Sequence, residues 1–244
     1  LKSKAAVAHR RYWSAQLAGD LPVLNLKTDR PRPPVQTNNG ATRYFTPDPK
    51  LTAPIKALAA QAGCTQYMVL LAAFQILLHR YSGQDDIIVG SPTSGRTQKR
   101  FSDILGYFVN PVALRADFSK DPRGIDFLKS VRGTVLSALE HQDYPLLSII
   151  EDLQLERDPS RSPLFQVMFN YMGASAPPKY SQMDMAPAPF EITQQEGQFD
   201  FTLSLEEAPD GIRGSIDYNT DLFDEQTIIR MGAHYMNILG QLVM

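Results

Sequence analysis

From Tyr67 to Leu78 the chain is apolar at every position except Gln75. A helix that is apolar all round has no face to offer to water, and this run is too short to span a bilayer, so it has to be a helix buried in a core. Thr65 is placed to cap its start, and it runs on to about Arg80 before Tyr81-Ser82-Gly83 turns the chain. Just upstream, Ile55, Leu58, Ala59 and Ala62 mark one face of a second helix, closed by Gly63.

A buried helix needs layers around it, and the strand signals supply them. Ile87-Ile88-Val89 is a β-branched run followed by Gly90 and Pro92, which predicts an interior strand. Pro111 to Asp117 and Leu164 to Tyr171 predict a second and a third. In Phe199-Asp-Phe-Thr-Leu-Ser-Leu the apolar residues fall on alternate positions, which puts Phe199, Phe201, Leu203 and Leu205 on one face. Ala208-Pro-Asp-Gly is a turn sequence, so Ile212 to Asn219 returns as an antiparallel partner. Helical spacing recurs at Leu128, Val131, Val135 and Leu139, within Gly124 to Gln142, and again over Leu146 to Leu153; Asp224 opens a last helix.

Ala5 to Leu17 predicts an opening helix with a narrow stripe of Trp13 and Leu17. Asp29-Arg-Pro-Arg-Pro-Pro cannot be helical, because closely spaced prolines remove donors and force extended geometry. The expected layout is therefore an opening helix over 1–20, an extended linker over 21–47 and an α/β lobe over 48–244. Strands joined both by helices and by a hairpin predict a two-layer α/β sandwich with a mixed sheet. Pro177, Pro178, Pro187 and Pro189 punctuate an irregular excursion. No internal repeat is visible.

A formal charge of −2 and no local basic patch argue against nucleic acid or an anionic membrane as partner. The single cysteine, Cys64, rules out an intrachain disulfide and a multi-cysteine metal site; no metal is expected, and a reducing, cytoplasmic setting is. Cys64 reads as core rather than nucleophile, since no local histidine activates it. The chain opens on Leu1 rather than Met and closes on an apolar helix, as a piece of a longer polypeptide would.

Three segments carry a resemblance. Ile104-Leu-Gly-Tyr-Phe-Val-Asn-Pro-Val-Ala-Leu-Arg115, His141-Gln-Asp-Tyr-Pro145 and Arg157-Asp-Pro-Ser-Arg-Ser-Pro-Leu164 are similar, in order and spacing, to motifs of nonribosomal peptide synthetase condensation domains. Tyr12-Trp13, Thr28-Asp29-Arg30-Pro31, Asp86 to Arg96, Phe199 to Leu203 and Tyr218 to Phe223 agree. Departures are Pro111 where Thr is usual, Leu146 where Phe is usual and Ser162 where Asn is usual. Phe108-Val-Asn110 and the His141 segment resemble the condensation type more than its epimerization or cyclization relatives.

The resemblance implies one lobe of a chloramphenicol-acetyltransferase-like pseudo-dimer, and a reaction in which a carrier-bound amine attacks a carrier-bound thioester to form an amide. Both substrates would ride on phosphopantetheine arms, with no cofactor bound directly. Partners implied are the N-terminal lobe of the same domain, an aminoacyl or peptidyl carrier protein and a neighbouring adenylation domain. The family's His-His-x-x-x-Asp-Gly motif is absent: His9, His79, His141 and His234 stand singly, and Asp210-Gly211 follows Leu205-Glu206. The chain thus resembles the C-terminal lobe, contributing the acceptor-side wall and carrier docking, and is expected to be inactive alone. A condensation-like module that recruits other proteins without catalysis is the alternative. An unrelated free-standing acyltransferase would need an active-site histidine, which nothing here offers.

No catalytic residue is assigned. Gly106, Phe108, Asn110, His141, Gln142, Tyr144, Arg157, Arg161 and Asp200 are the tunnel or motif positions that the resemblance implies. His141, at the end of a predicted helix, reads as bonding the last carbonyls rather than as a base. Asn110 either bonds a pantetheine amide or ties down backbone where a strand begins. Gly106 and Phe108 read as packing. Arg157 and Arg161 bracket Asp158, first of all as a local pair, otherwise as a phosphopantetheine contact. Asp200, opposite Phe199 and Phe201, faces solvent, helix ends or the tunnel. Arg96, in a loop at a strand end, is the candidate for docking a carrier. A segment between Met172 and Asn219 that crosses to the missing lobe would be left disordered, or be exchanged in a swapped dimer.

Overall fold

The structure, a computed structural model, describes residues 3–101, 103–173 and 197–244. The central buried helix is α3 (Gln66–Ser82). Thr65 caps it by accepting the Met68 N–H, and Gly83, at φ +68°, ends it. Gln75, the polar interruption, is buried with the rest. α2 (Thr52–Gln61) precedes it and packs on it.

Six strands form one mixed sheet: β1 (Gly40–Phe45), β2 (Asp86–Thr93), β3 (Asn110–Asp117), β4 (Val167–Met172), β5 (Phe201–Ala208) and β6 (Gly211–Asn219). Their order is β1-β6-β5-β4-β2-β3. β4 runs parallel to both neighbours, β2 and β5, and every other pairing is antiparallel. Across the face formed by Ser91, Phe169 and Phe201 lies α3, whose Phe74 stacks on Phe169 and meets Phe201 edge-on. α4 (Gly124–Glu140) and α6 (Glu225–Leu242) flank α3 on that face, over β3 and over β6 and β1 respectively. α5 (Leu146–Leu153) packs on β3, and α1 (Lys4–Gln16) on α5. No single helix among the described residues is long and apolar enough to cross a membrane.

The α/β class with a mixed sheet stands as expected, and three differences are informative. Residues 40–45, assigned to the extended linker, form β1, which pairs with β6 from Gly40↔Asn219 to Phe45↔Gly214. The Phe45 ring lies where a Cβ at Gly214 would be, so the pairing is also a packing contact. The third strand begins at Val167, not Leu164, because Phe165 leaves the ladder to lay its ring over Gly90. The alternating strand runs from Phe201 to Ala208; Phe199 precedes it and packs against Phe165 at 5.7 Å. The hairpin forms as read, with Ala208 opposite Gly211. The proline-punctuated stretch through Pro189 lies outside the described residues, and with it about half of the segment expected to cross between lobes. Its described end, from Phe201 to Asn219, pairs within this sheet.

Candidate functional site

Two of the three motif segments, those of Asn110 and of His141 to Pro145, meet at one end of the sheet, beyond the last residues of β2 and the first of β3. Asn110 opens β3, and its amide reaches the α4–α5 turn. Nδ2 donates to the carbonyls of Gln142 (2.8 Å) and Tyr144 (2.9 Å), while Oδ1 accepts the Leu146 N–H (3.0 Å). Both amide donors and one lone pair are spent on backbone, the arrangement of a backbone tie. The tie acts on the turn 142–146 rather than on the strand start.

The same turn is held from behind by α1. The His141 ring, expected to bond the last carbonyls of its helix, instead has its Nδ1 2.7 Å from His9 Nδ1 and stacks on Tyr12 at 4.1 Å. The last-turn carbonyls are met instead by the main-chain N–H of His141 and, at Leu139, by Gln142 Nε2 (2.8 Å). Trp13 Nε1 donates to the His141 carbonyl at 3.0 Å. Tyr144 is buried and donates to Asp152 at 2.7 Å, and Arg10 of α1 pairs with that carboxylate. Burial and then the neighbouring His9 push His141 below the usual imidazole range, against the opposing Glu140.

A second constellation shapes the loop between β2 and β3. Arg96 donates to the carbonyls of Phe101, Ile104 (2.9 Å) and Gly106 (3.3 Å), and its guanidinium lies 4.4 Å above the Phe108 ring. A guanidinium engaged by three carbonyls and a ring is a staple for this loop, a role the sequence reading of Arg96 as a docking residue did not include. Phe108 packs under Arg96 and against Phe101, and Gly106 supplies an acceptor. Gly95, at φ +61°, has no room for a Cβ, which would overlap the Phe108 carbonyl oxygen. The stapled loop holds Leu105 99% and Tyr107 88% exposed, with Ile104 and Val109 also open.

The remaining residues lie elsewhere. Arg161 pairs with Asp158 (Nε–Oδ2 2.6 Å), whereas Arg157 makes no ion pair among the described residues. Bonds from Ser160, with Arg161 beside it, hold the Asp158 carboxyl below its ordinary value. With Leu147, Ile150, Leu155 and Pro163 the two arginines line a groove of about 560 Å³. Asp200 is 3% exposed and faces neither solvent nor helix ends: Arg32 grips both its oxygens, with Nη1–Oδ1 at 2.8 Å. Arg32 escaped the sequence reading because its local context, between prolines, says only that the chain is extended. A cavity of about 280 Å³ under β2 is lined by Tyr67, Ser91, Thr93 and Gln142. Its polar groups are satisfied internally, Tyr67 bonding Ser91 and Ser91 the Phe169 carbonyl.

Each histidine has its Nδ1 engaged, His79 with the Gln84 carbonyl and His234 with Tyr81. Burial pushes the Cys64 thiol up, away from a nucleophilic thiolate. No group of three metal-ligating side chains occurs among the described residues. The motif residues build a shaped edge on the domain.

The family model for the condensation domain matches residues 1–244. The chain belongs to the condensation-domain family. It is 39% identical over 242 residues to gramicidin S synthase 2 of Aneurinibacillus migulanus, an alignment that covers 99% of this chain and 5% of that protein. A crystal structure of a holo four-domain nonribosomal peptide synthetase bound to AMP and glycine superposes with a TM-score of 0.87 at 25% identity, covering 99% of this chain and 19% of that one. The X-domain in complex with OxyB from teicoplanin biosynthesis superposes at 0.86 and 25% identity, covering 98% of this chain and 53% of the matched one. The condensation-domain fold is thus of the chloramphenicol-acetyltransferase type, and the chain spans a small part of the synthetases and about half of the X-domain chain.

Proposed function

We propose that this chain is the C-terminal lobe of a condensation domain, forming the acceptor-side wall of the tunnel in which a carrier-bound amine attacks a carrier-bound thioester. The nitrogen–carbon bond forms, the thiol of the donor arm leaves, and the amine gives up its proton. This lobe contributes shape, positioning and exclusion of water, which such a reaction needs as much as a base. The His-His-x-x-x-Asp-Gly motif would come from the other lobe, so the isolated chain is inactive. Carrier protein and adenylation domain are its partners, and phosphopantetheine arrives on the carrier.

The observation that carries the reading is the loop around Leu105 and Tyr107. A loop left for solvent would collapse its large apolar side chains; this one is fixed by Arg96 with those side chains held outward. Its occupant is the N-terminal lobe. The test is complementation: the chain and the upstream lobe, produced separately and mixed with loaded carriers, are expected to form an amide that neither forms alone. Leu105→Ser with Tyr107→Ser should raise the lobe concentration required. Product from this chain alone, or none from the mixture, would overturn the proposal.

Recruitment without catalysis is the second reading, favoured by a superposition on the OxyB-bound X-domain as close as that on the synthetase. A broken histidine motif in the upstream lobe would select it.

A further inference from the structure

The contact between α1 and the α4–α5 turn is built around two facing imidazoles, and we infer that the His9–His141 pair is a proton-operated clasp that holds α1 against the turn and releases it when both rings are charged. Two neutral rings can share a bond across 2.7 Å only if one Nδ1 carries a hydrogen and the other presents its lone pair. One added proton goes to the far nitrogen of the donor ring and leaves that bond intact. A second must occupy the accepting Nδ1, which sets two N–H groups and two positive charges against each other. The clasp therefore tolerates one proton and opens with the next.

The surroundings disfavour that second proton. From α1, Tyr12 stacks on His141 and the cationic Arg10 lies one residue from His9. Arg10 is committed to Asp152 of α5, which Tyr144 also bonds, so that carboxylate is not free to neutralise a second imidazolium. From α4, Glu140 alone favours the charged state of His141, and burial opposes it. Burial and the facing His9 therefore disfavour the charged form of the His141 ring.

Trp13 reports the event. It is the sole tryptophan, it is 1% exposed, and its indole N–H bonds the carbonyl of His141 itself. Releasing α1 exposes the indole and opens the Arg10-Arg11 stretch to trypsin. For the 244-residue chain, Trp13 emission should move to the red as pH falls from about 7 to about 5, with far-UV circular dichroism nearly unchanged. Tryptic cleavage in α1 should rise about tenfold per pH unit over the transition. His9→Gln, a neutral replacement on the half-exposed face of α1, should abolish both changes, and His141→Gln should do the same. Constant emission in the parent chain, the same shift in His9→Gln, or a shift that accompanies loss of the whole circular dichroism signal would overturn the clasp. None of these outcomes depends on amide formation, so the inference stands or falls apart from the lobe reading.

Discussion

Asn110 at the head of β3 and Leu146 at the head of α5 are joined through the Asn110 side chain, whose Oδ1 accepts the Leu146 N–H while its Nδ2 bridges the carbonyls of Gln142 and Tyr144. Asn110→Ala should leave three backbone groups without partners. At about 1 kcal/mol or more for each, the loss is about 3 kcal/mol, or a fall in Tm of roughly 6–12 °C for a chain of this size. Asn110→Asp separates geometry from chemistry. It fits the space but turns an acceptor toward two carbonyls, so thermal unfolding should start at least as low as for the alanine variant. A pantetheine-contact role would predict normal stability for both.

Arg32 and Asp200 form a bidentate pair with the carboxylate buried. Removing one partner of such a pair strands the other charge, at a cost of about 3–5 kcal/mol. Arg32→Met should therefore shift the urea midpoint far more than Arg161→Met, whose partner Asp158 is exposed and keeps its bonds from Ser160. Converting Asp200 to Asn in the Arg32→Met background removes the stranded charge and should recover part of the loss. If the two arginine variants are equally stable, Arg32–Asp200 is not a structural lock.

These two cases mark where sequence reasoning reached and where it stopped. Local periodicity located α3, α5 and the β5–β6 hairpin to within a residue or two, because burial on one side or on all sides leaves a repeat in the residues themselves. β1 left no such trace: it is an edge strand whose one packed ring, Phe45, depends on Gly214 far along the chain. Asn110 was legible as an amide with something to bond, but its partners lie 32 to 36 residues on. Asp200 and Arg32 are separated by 168 residues. The motifs carried these positions into view without saying what each side chain holds, since that is fixed by topology.

Gly95 offers a direct test of the loop. Its positive φ alone would cost an L-residue about 1–2 kcal/mol, and the overlap with the Phe108 carbonyl adds to that. Gly63, at φ +63° with open space around its Cβ position, isolates the conformational part. Gly95→Ala should therefore lower the midpoint of urea unfolding more than Gly63→Ala, and should displace Phe108 from Arg96. Equal losses would mean that the loop yields freely and that its outward apolar residues are not held in place.

Asp29 predicts how α6 responds to acid. Asp224, the residue before that helix, makes no side-chain cap; its N–H is accepted by Asp29, which also accepts from the Thr227 hydroxyl at 2.9 Å. The backbone bond from Asp224, then Thr227 and the nearby arginines, hold the Asp29 carboxyl below its ordinary value despite partial desolvation. A carboxyl that is more acidic in the folded chain than in the unfolded one contributes stability above its unfolded pKa, near 4, and that contribution fades as pH falls through the folded value. Asp29→Asn retains the shape without the titration. The parent chain should be the more resistant to urea at about pH 6, and the gap should narrow as pH falls below about 4. A gap that stays constant over that range would mean that the carboxylate's charge plays no part in holding the linker to α6.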